Sequence, residues 1–502
     1  MDIEHVVVLM LENRSFDCML GGLYPDNPMF DGLTGSESNI WHKPDGTQEV
    51  VPVWNDPDMT LALLTTPTPD TGELFADIAV QIGGIGTDPS PMGGFVDNYM
   101  RLKPGDAAYD KRAAMHYFTP DQVPALSQLA QAFGVSDQWF CSAPNQTWPN
   151  RFFVHTGTAN GYVNNSPPRF PYTMETVFGR LSSVGKSWTI YYSDFPQSAT
   201  LAKLWSEVRH FSHFDRHFAA DAARGALPAY SFIEPRYFAD EIDGTPPNDG
   251  HPPHNVAFSQ QLIAQVYNAL RSGPKWDSTL LIVTCDEHGG CYDHVVPPAA
   301  TPPGGQTPDG FAFDRFGVRV PTVIVSPHVP AGSILRAAGS VPFDHTSIIA
   351  TLRALHGFEP LTPRDAAAPS VLDVLDFGQV NNGPESIPVP ASPVFINTRA
   401  SINRSIDASD TSIDASGLQL SLHAVSTALP LPYADIDTHC EYLASAPPIP
   451  PLVNPTAAQA KAGVVERFQA FLRRGEIRPA PLLSTTDPNA AGGTPGSPQS
   501  PG

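Results

Sequence analysis

Basic residues are scarce in this sequence of 502 residues, where 29 lysines and arginines stand against 51 aspartates and glutamates. The formal net charge is −22. Binding to nucleic acid generally needs a basic surface, so this balance argues against that function. It also argues against simple electrostatic attraction to anionic lipid. The excess charge favours solubility, and an anionic substrate would need cations supplied locally.

Cysteines and long apolar runs are also few. The five cysteines include no CxxC pair typical of zinc sites and are too sparse for a disulfide framework. Cys285 ends an apolar run and is expected to be a buried thiol, although a disulfide with Cys291 stays open. No apolar run approaches the length of a membrane span, and no signal peptide is recognisable. We expect no transmembrane segment and a cytoplasmic location by default, or secretion if a leader was removed or export is non-classical.

Two short apolar runs are each followed at once by oxygen-bearing side chains. Residues 3–11 read IEHVVVLML, and residues 279–285 read TLLIVTC. Such runs suit strands buried in a parallel sheet, and ligands bind beyond the carboxyl ends of these strands. Four oxygen-bearing side chains that meet there suit a hard cation, unless each cluster is only a polar turn. The side chains are Glu12, Asn13, Asp286 and Glu287.

Helix-like and strand-like segments alternate between residues 120 and 356. This alternation predicts an α/β fold with a mostly parallel central sheet and helices on both faces. The stretch 20–110 is rich in loops, which favours a cover over the site. Beyond the two runs above, strands are predicted at 135–141, 188–192, 229–233 and 319–325. Helices are predicted at 121–133, 149–158, 254–271 and 344–356.

The composition changes after about residue 380, where Pro, Ser, Ala and Asp dominate and the alternation stops. We predict a catalytic domain over residues 1–380 and an irregular C-terminal extension, packed on the core, over residues 381–480. A helix is predicted at 457–474. The final segment, 481–502, is predicted to be a disordered tail.

A hydroxyl residue stands just before a proline-started helix in the segment NQTWPNR, residues 145–151. The N-terminus of a helix offers free N–H groups and a favourable dipole to an anion. A nearby cation would lower the pKa of the Thr147 hydroxyl and make it a usable nucleophile. The alternative is that Thr147 merely caps the helix.

Histidines gather in two further segments. His251 lies in a loop beside Asp249 that leads into a helix, and His345 opens another helix in the segment FDHT. Imidazoles suit phosphate contacts and the protonation of leaving groups. His251 is the favoured candidate, whereas His254 and His356 are expected to be structural.

Together these segments resemble the bacterial and plant phosphoesterase family, which contains non-specific phospholipases C and related acid phosphatases. That family belongs to the alkaline phosphatase-like superfamily, so the resemblance implies that fold. The similarity covers residues 1 to about 375. It rests on motifs that occur in the family's order: ENRSFD, TWPNRFFVHTG, DGHPPH, TCDEHGGCYDHVVPP, RFGVRVPTVIVSP and PFDHTSI.

The resemblance implies a site for one divalent cation, with Thr147 as both a ligand and the nucleophile that becomes phosphorylated. It implies a phosphate contact for His251 and a site role for His345, while Asn150 and Arg151 support the nucleophile. Oxygen ligands favour Ca²⁺, Mg²⁺ or Mn²⁺ over Zn²⁺, although Zn²⁺ stays open. The expected metal ligands are Glu12, Asn13, Thr147, Asp286 and Glu287.

The expected activity is metal-assisted phosphoester hydrolysis, with phospholipase C-type cleavage of phospholipid first. The alternative is an acid phosphatase acting on small monoesters, and a weakly active binding homologue is a third reading. A phospholipid substrate implies transient contact with a membrane surface. An apolar shelf for acyl chains would involve aromatic side chains, although core packing explains them equally well. The candidates are Trp148, Phe152, Phe153 and Tyr192.

Two departures bear on this expectation. The chain has no CxPxR motif, which argues against a sulfatase. Related enzymes often place another phosphate-contacting histidine between the first acidic cluster and the nucleophile. Here the segment PDTGELF, residues 69–75, occupies that place without a histidine. Protonation of the leaving group therefore falls on fewer candidates.

Overall fold

An eight-stranded sheet forms the centre of the protein. The computed structural model describes residues 3–83, 90–239, 245–391, 417–432, 434–447 and 463–475. Twelve strands lie in these ranges: β1 (His5–Leu11), β2 (Ser38–His42), β3 (Gln48–Pro52), β4 (Gly134–Ser136), β5 (Trp139–Phe140), β6 (Trp188–Tyr192), β7 (Phe211–His213), β8 (Tyr230–Glu234), β9 (Thr279–Cys285), β10 (Thr322–Val325), β11 (Ser333–Ile334) and β12 (Phe343–Asp344).

The strand order in the sheet is β11-β4-β10-β9-β1-β8-β6-β7. β10 pairs antiparallel with both of its neighbours, whereas every other neighbouring pair in this sheet is parallel. Two small ladders lie apart from it, the parallel pair β5–β12 and the antiparallel hairpin β2–β3. The predicted α/β fold with a mostly parallel sheet is confirmed.

Helices cover the sheet. The α-helices are α1 (Phe16–Leu20), α2 (Leu61–Leu64), α3 (Phe75–Gly83), α4 (Phe95–Leu102), α5 (Pro124–Ala132), α6 (Thr147–Thr156), α7 (Val177–Ser183), α8 (Phe214–Ala223), α9 (Val256–Arg271), α10 (Thr346–His356), α11 (Pro363–Ala367), α12 (Gly417–Ser426), α13 (Ile436–Ser445) and α14 (Val464–Leu472). Every residue of β1 and β9 is buried. Because successive side chains of a strand point to opposite faces, both faces of the central strands must be covered.

The predicted elements largely coincide with the observed ones, and their ends differ for identifiable reasons. The predicted strand 135–141 divides into β4 and β5 because Asp137 lies between them and binds the guanidinium of Arg336. The predicted helix 254–271 begins two residues later, where the side chain of Asn255 accepts a hydrogen bond from the N–H of Ala257. The predicted strand 319–325 starts only at Thr322, since Arg319 enters an ion-pair network.

The stretch 20–110 is more ordered than its loop-rich sequence indicates. It contains the β2–β3 hairpin and the helices α2, α3 and α4. Buried apolar side chains from these elements form a second cluster with residues from elsewhere in the chain, including Val318 and Tyr292. The stretch therefore packs beside the main core as a small layer of its own.

The C-terminal helices contribute to the main core. Leu418, Leu422 and Phe468 are buried within it, and the ring of Phe468 lies 5.1 Å from that of Tyr192. The predicted helix 457–474 is shorter in the structure, at Val464–Leu472. The predicted tail 481–502 lies outside the described residues, and the predicted domain boundaries stay a prediction.

All five cysteines are free thiols, so the disulfide left open between Cys285 and Cys291 is not formed. Both of these thiols are buried, as expected for Cys285. Among the described helices, none combines the length and the apolar composition that crossing a bilayer requires.

The register of β1 and β9 positions the two acidic clusters. The strands run parallel, with His5 opposite Thr279 and Leu11 opposite Cys285. Both strands therefore end at the same level. Glu12 and Asp286, the next residue on each strand, leave the sheet side by side.

A buried ion-pair network holds the segments that follow β1 and β9. Arg319 donates from Nη2 to Asp17 Oδ1 and from Nε to Asp293 Oδ1, both at 3.0 Å. His294 Nδ1 lies 2.7 Å from Asp17 Oδ2, and its Nε2 lies 3.2 Å from Asp31 Oδ1. Burial lowers the pKa of His294, but the hydrogen bonds with Asp17 and Asp31 outweigh it and raise the pKa to about 10.

We expect the His294→Gln substitution to reduce stability in a pH-dependent way. Because the folded-state pKa is raised from about 6.5, the stabilisation is complete below about pH 6.5. It is lost as the pH rises through about 10. The variant should lower the free energy of unfolding by about 1–2 kcal/mol at pH 6 and by much less at pH 10. Urea unfolding at both pH values measures this, and an equal loss at both would contradict the charged-histidine assignment.

Candidate active site

The two acidic clusters meet at the carboxyl end of the sheet. Asp286 Oδ1 accepts hydrogen bonds from the N–H of Asn13 at 2.9 Å and from the N–H of Glu287 at 2.8 Å. Gly289 has a positive φ of 55°, and a Cβ there would lie 2.5 Å from the carbonyl oxygen of Asn13. The chain after β9 can therefore approach Asn13 closely only because this residue is glycine.

Arg151 binds this group of carboxylates from α6. Its Nη2 donates to Glu12 Oε1 at 2.5 Å, and its Nε donates to Asp286 Oδ2 at 3.3 Å. Its Nη1 lies 3.8 Å from Oε2 of Glu234, at the end of β8. All four side chains are fully buried. One guanidinium therefore contacts three buried carboxylates and leaves an excess of negative charge.

The excess charge suits a cation. Burial and the neighbouring Asp286 raise the pKa of Glu12 well above its usual range despite Arg151, and burial together with Glu73 does the same for Glu287. Oε1 of Glu287 is buried and has no hydrogen-bond partner within the described ranges. A divalent cation would relieve this repulsion and satisfy the unpaired oxygen, and the donor atoms are oxygens that hard cations prefer. The residues present therefore fit a divalent metal ion.

Thr147 faces the same carboxylates. It is the first residue of α6, and Gln146 occupies the capping position, where its side chain makes no capping hydrogen bond with the helix. The alternative that Thr147 is the N-cap is therefore wrong, and its hydroxyl is free for other contacts. Thr147 Oγ1 lies 3.4 Å from Glu12 Oε2 and 3.3 Å from Asn13 Oδ1.

The turn that precedes Thr147 is held by Asn150. Its Nδ2 donates to the carbonyl of Asn145 at 2.8 Å, and its Oδ1 accepts from the N–H of Ala143 at 3.1 Å. These bonds fix the path of residues 143–146 against the first turn of α6. Asn150 and Arg151 thus both support the environment of Thr147, on opposite sides.

His251 lies beside the first acidic cluster. Its Nδ1 is 2.5 Å from the carbonyl oxygen of Pro252, and its Nε2 is 3.1 Å from Glu73 Oε1. Burial lowers the pKa of His251, but Asp70 and Glu73 outweigh it, so the pKa is raised well above its usual range. This shift favours the charged ring. His254, expected to be structural, has Nδ1 2.7 Å from Asp249 Oδ1.

His345 occupies a different kind of position. Its Nε2 lies 2.6 Å from the backbone oxygen of Asp286, and its Nδ1 accepts a hydrogen bond from Trp139 Nε1 at 3.3 Å. Burial lowers the pKa of His345, which favours the neutral ring. Both ring nitrogens make hydrogen bonds within the protein. His345 therefore helps to hold the backbone of Asp286 in place.

Sequence reasoning missed the role of Glu73. This side chain is 7% exposed, and its Oε1 accepts a hydrogen bond from Asn13 Nδ2 at 2.6 Å. It lies in the segment 69–75, in which the absence of a histidine was the conspicuous feature. The position of that segment in the resemblance indicated a contact with the site. Nothing in the sequence around Glu73 indicated which side chains it contacts.

The aromatic side chains considered for an apolar shelf are core residues. Trp148, Phe152, Phe153 and Tyr192 are at most 5% exposed, so the shelf expectation is wrong for them. Apolar side chains next to Glu73 are more accessible. Leu74 is 51% exposed, and the partly buried ring of Phe75 lies 5.1 Å from that of Phe311.

The sequence is similar to those of several known proteins. The sequence model of the phosphoesterase family matches residues 3–359. Non-specific phospholipase C6 of Arabidopsis thaliana is 38% identical over 390 residues, which are 74% of this chain and 72% of that protein. Phospholipase C B of Mycobacterium tuberculosis is 30% identical over 408 residues, which are 71% of this chain and 74% of that protein.

Two solved structures illustrate a more distant similarity. Phosphonate monoester hydrolase of Agrobacterium radiobacter has a TM-score of 0.34 and 11% identity, covering 74% of this chain and 77% of that one. A protein in the alkaline phosphatase superfamily from Vibrio parahaemolyticus has a TM-score of 0.29 and 15% identity, covering 49% of this chain and 64% of that one. The family match over residues 3–359 and the identity to these relatives show that the chain belongs to the phosphoesterase family, whose members are phosphoric ester hydrolases.

Proposed function

We propose that the protein is a metal-assisted phosphoester hydrolase that cleaves phospholipids in the manner of a phospholipase C, through a phospho-threonine intermediate. The observation that carries the proposal is the position of Thr147. Its hydroxyl lies at the start of α6, within 3.4 Å of Glu12 Oε2 and 3.3 Å of Asn13 Oδ1. A hydroxyl that faces buried carboxylates at a helix N-terminus suits attack on an anionic phosphate.

The proposed metal ligands are the oxygen-bearing side chains at the ends of β1 and β9, together with the hydroxyl of Thr147. A divalent cation bound there would lower the pKa of that hydroxyl and offset charge on the phosphate oxygens. Oxygen donors favour Ca²⁺, Mg²⁺ or Mn²⁺. The other ligands are Glu12, Asn13, Asp286 and Glu287.

The reaction then follows from the positions of Thr147 and His251. Thr147 loses its hydroxyl proton to solvent, and Oγ1 attacks phosphorus in line as the bond to the leaving alcohol breaks. The charged His251 donates a proton to that alcohol. Water next attacks phosphorus as the bond from Oγ1 of Thr147 to phosphorus breaks. One proton of the water passes to His251 and the other to Oγ1 of Thr147, which restores both side chains and releases the phosphate product as a dianion. The positive end of the α6 dipole stabilises the phosphate oxygens during both steps.

His345 has a positioning role in this proposal. Its contact with the backbone oxygen of Asp286 holds one of the proposed ligands in place, and neither of its nitrogens is free to reach a substrate. Protonation of the leaving group therefore falls to His251 alone among the histidines predicted from the sequence.

A phospholipid substrate is supported by two observations. The similar proteins from Arabidopsis thaliana and Mycobacterium tuberculosis carry the name phospholipase C. Exposed or partly exposed apolar side chains, at Leu74, Phe75 and Phe311, lie beside or near Glu73 and suit acyl chains during transient contact with a membrane surface. The second candidate function is phosphatase action on monoesters, since the same nucleophile and cation serve either ester.

We expect Thr147→Ala to reduce kcat/KM by a factor of about 10⁴ or more, because the substitution removes the attacking oxygen. Thr147→Ser keeps a hydroxyl and should retain measurable activity. Steady-state hydrolysis of a chromogenic phosphoester measures both variants. Full activity of the alanine variant would rule out a phospho-threonine intermediate.

We expect removal of divalent ions to abolish activity and to lower the melting temperature, because uncompensated carboxylates then repel each other at the ends of β1 and β9. The melting temperature and the hydrolysis rate are measured after chelation and again after adding back Mg²⁺, Ca²⁺ or Mn²⁺. Activity that survives exhaustive chelation would argue against metal assistance.

The choice of ester is tested by comparing p-nitrophenyl phosphorylcholine with p-nitrophenyl phosphate. The phospholipase C assignment requires a higher kcat/KM for the diester, because the site must accommodate both substituents on phosphorus. Faster hydrolysis of the monoester would identify the protein as a phosphatase. The Thr147→Ala variant serves as the blank for both substrates.

A further inference from the structure

We propose that Glu73 is a positioning residue that orients both the amide of Asn13 and the ring of His251 toward the reacting phosphate. The inference rests on the proposed function, because it concerns the metal site and the proton donor named there. Glu73 lies in the segment 69–75, where the resemblance leads one to expect a histidine, and this role accounts for the acid found there. No described contact joins Glu73 to Thr147.

The argument for Asn13 follows from the chemistry of an amide. An asparagine side chain has one donor end and one acceptor end, whereas an ionised carboxylate only accepts. Glu73 Oε1 lies 2.6 Å from one end of the Asn13 amide, so that end must be the donating Nδ2. The acceptor Oδ1 is thereby turned toward Thr147 Oγ1, at 3.3 Å, where a hard cation would need an oxygen.

The argument for His251 follows from its two ring contacts. Nδ1 lies 2.5 Å from the carbonyl oxygen of Pro252 and must carry a proton, because that oxygen can only accept. Nε2 faces Glu73 Oε1 at 3.1 Å but makes no hydrogen bond with the described residues, and Asp70 Oδ2 lies 3.8 Å from Nδ1. Glu73 therefore lies against the Nε2 side of the ring, while Nε2 keeps the freedom to turn toward a leaving oxygen.

The surroundings of Glu73 separate it from an ordinary structural carboxylate. In the described part of the chain, the only ion pair recorded for Glu73 is with His251. Asp17 and Asp293, which also form a buried acidic group, are neutralised by the guanidinium of Arg319. The charge of Glu73 is thus directed at two groups of the site rather than at a structural arginine.

The test uses three variants of the full chain, each checked for folding by circular dichroism. Glu73→Gln replaces an obligatory acceptor with an amide that can also donate, so the amide of Asn13 is no longer held in one orientation. Glu175→Gln removes the same charge from a surface position and is the matched control. The double variant Asn13→Asp with Glu73→Gln reverses the hydrogen bond, since the introduced glutamine donates to the introduced aspartate.

Two readouts are measured, the Kd of Mn²⁺ for the chelator-treated protein by isothermal titration calorimetry and the kinetics of diester hydrolysis. We expect Glu73→Gln to weaken Mn²⁺ binding about 10–100-fold and to lower kcat more than it changes KM. Glu175→Gln should behave as the wild type. The double variant should recover Mn²⁺ binding to within a few-fold of wild type, even if the single variant is poorly folded.

Unchanged Mn²⁺ affinity in Glu73→Gln would overturn the role assigned toward Asn13, as would a double variant that binds no better than the single one. An unchanged kcat would overturn the role toward His251. These failures leave Mn²⁺ binding and Thr147-dependent activity of the wild type intact. A wild-type protein that binds no Mn²⁺, Mg²⁺ or Ca²⁺ would instead overturn the proposed function, and the inference with it.

Discussion

The buried carboxylates at the ends of β1 and β9 are the constraint on which the site depends. Glu12, Asp286 and Glu234 share one guanidinium, that of Arg151, and Glu287 keeps an oxygen with no hydrogen-bond partner among the described residues. Ionised groups that are buried without compensation destabilise a fold. A divalent cation bound there, as proposed, would offset this excess of negative charge. The proposed reactivity of Thr147 depends on that excess.

Much of this site could be predicted because parallel strands impose a simple rule. Two apolar runs ending in acids predict neighbours only if the strands lie beside each other and end at the same level. The register of Leu11 with Cys285 satisfies both conditions. Local patterns also located the helices α5, α6, α9, α10 and α14, since apolar periodicity survives packing. Their ends were less predictable because capping by side chains such as Asn255, or diversion of Arg319 into ion pairs, decides them.

The unpredicted part of the site comes from contacts between segments with no shared local pattern. Glu73 reaches Asn13 only because the stretch 20–110 folds into a layer of its own beside the core. The aromatic residues of α6 were considered for an apolar shelf because their chemistry suits lipid. Their positions on the helix instead place Trp148 and Phe153 in the core. For His345, the sequence indicated proximity to the site but not that Asp286 and Trp139 occupy both ring nitrogens.

The hydrogen bond from the N–H of Asn13 to Asp286 joins residues 273 positions apart in the chain. Closing so long a loop costs conformational entropy, and this cost arises before the contacts that the closed loop allows can stabilise it. The site therefore cannot assemble ahead of the central sheet. A cation held as proposed would accordingly be taken up only once β1 and β9 lie side by side, so that the proposed hydrolytic competence would arise together with the native topology.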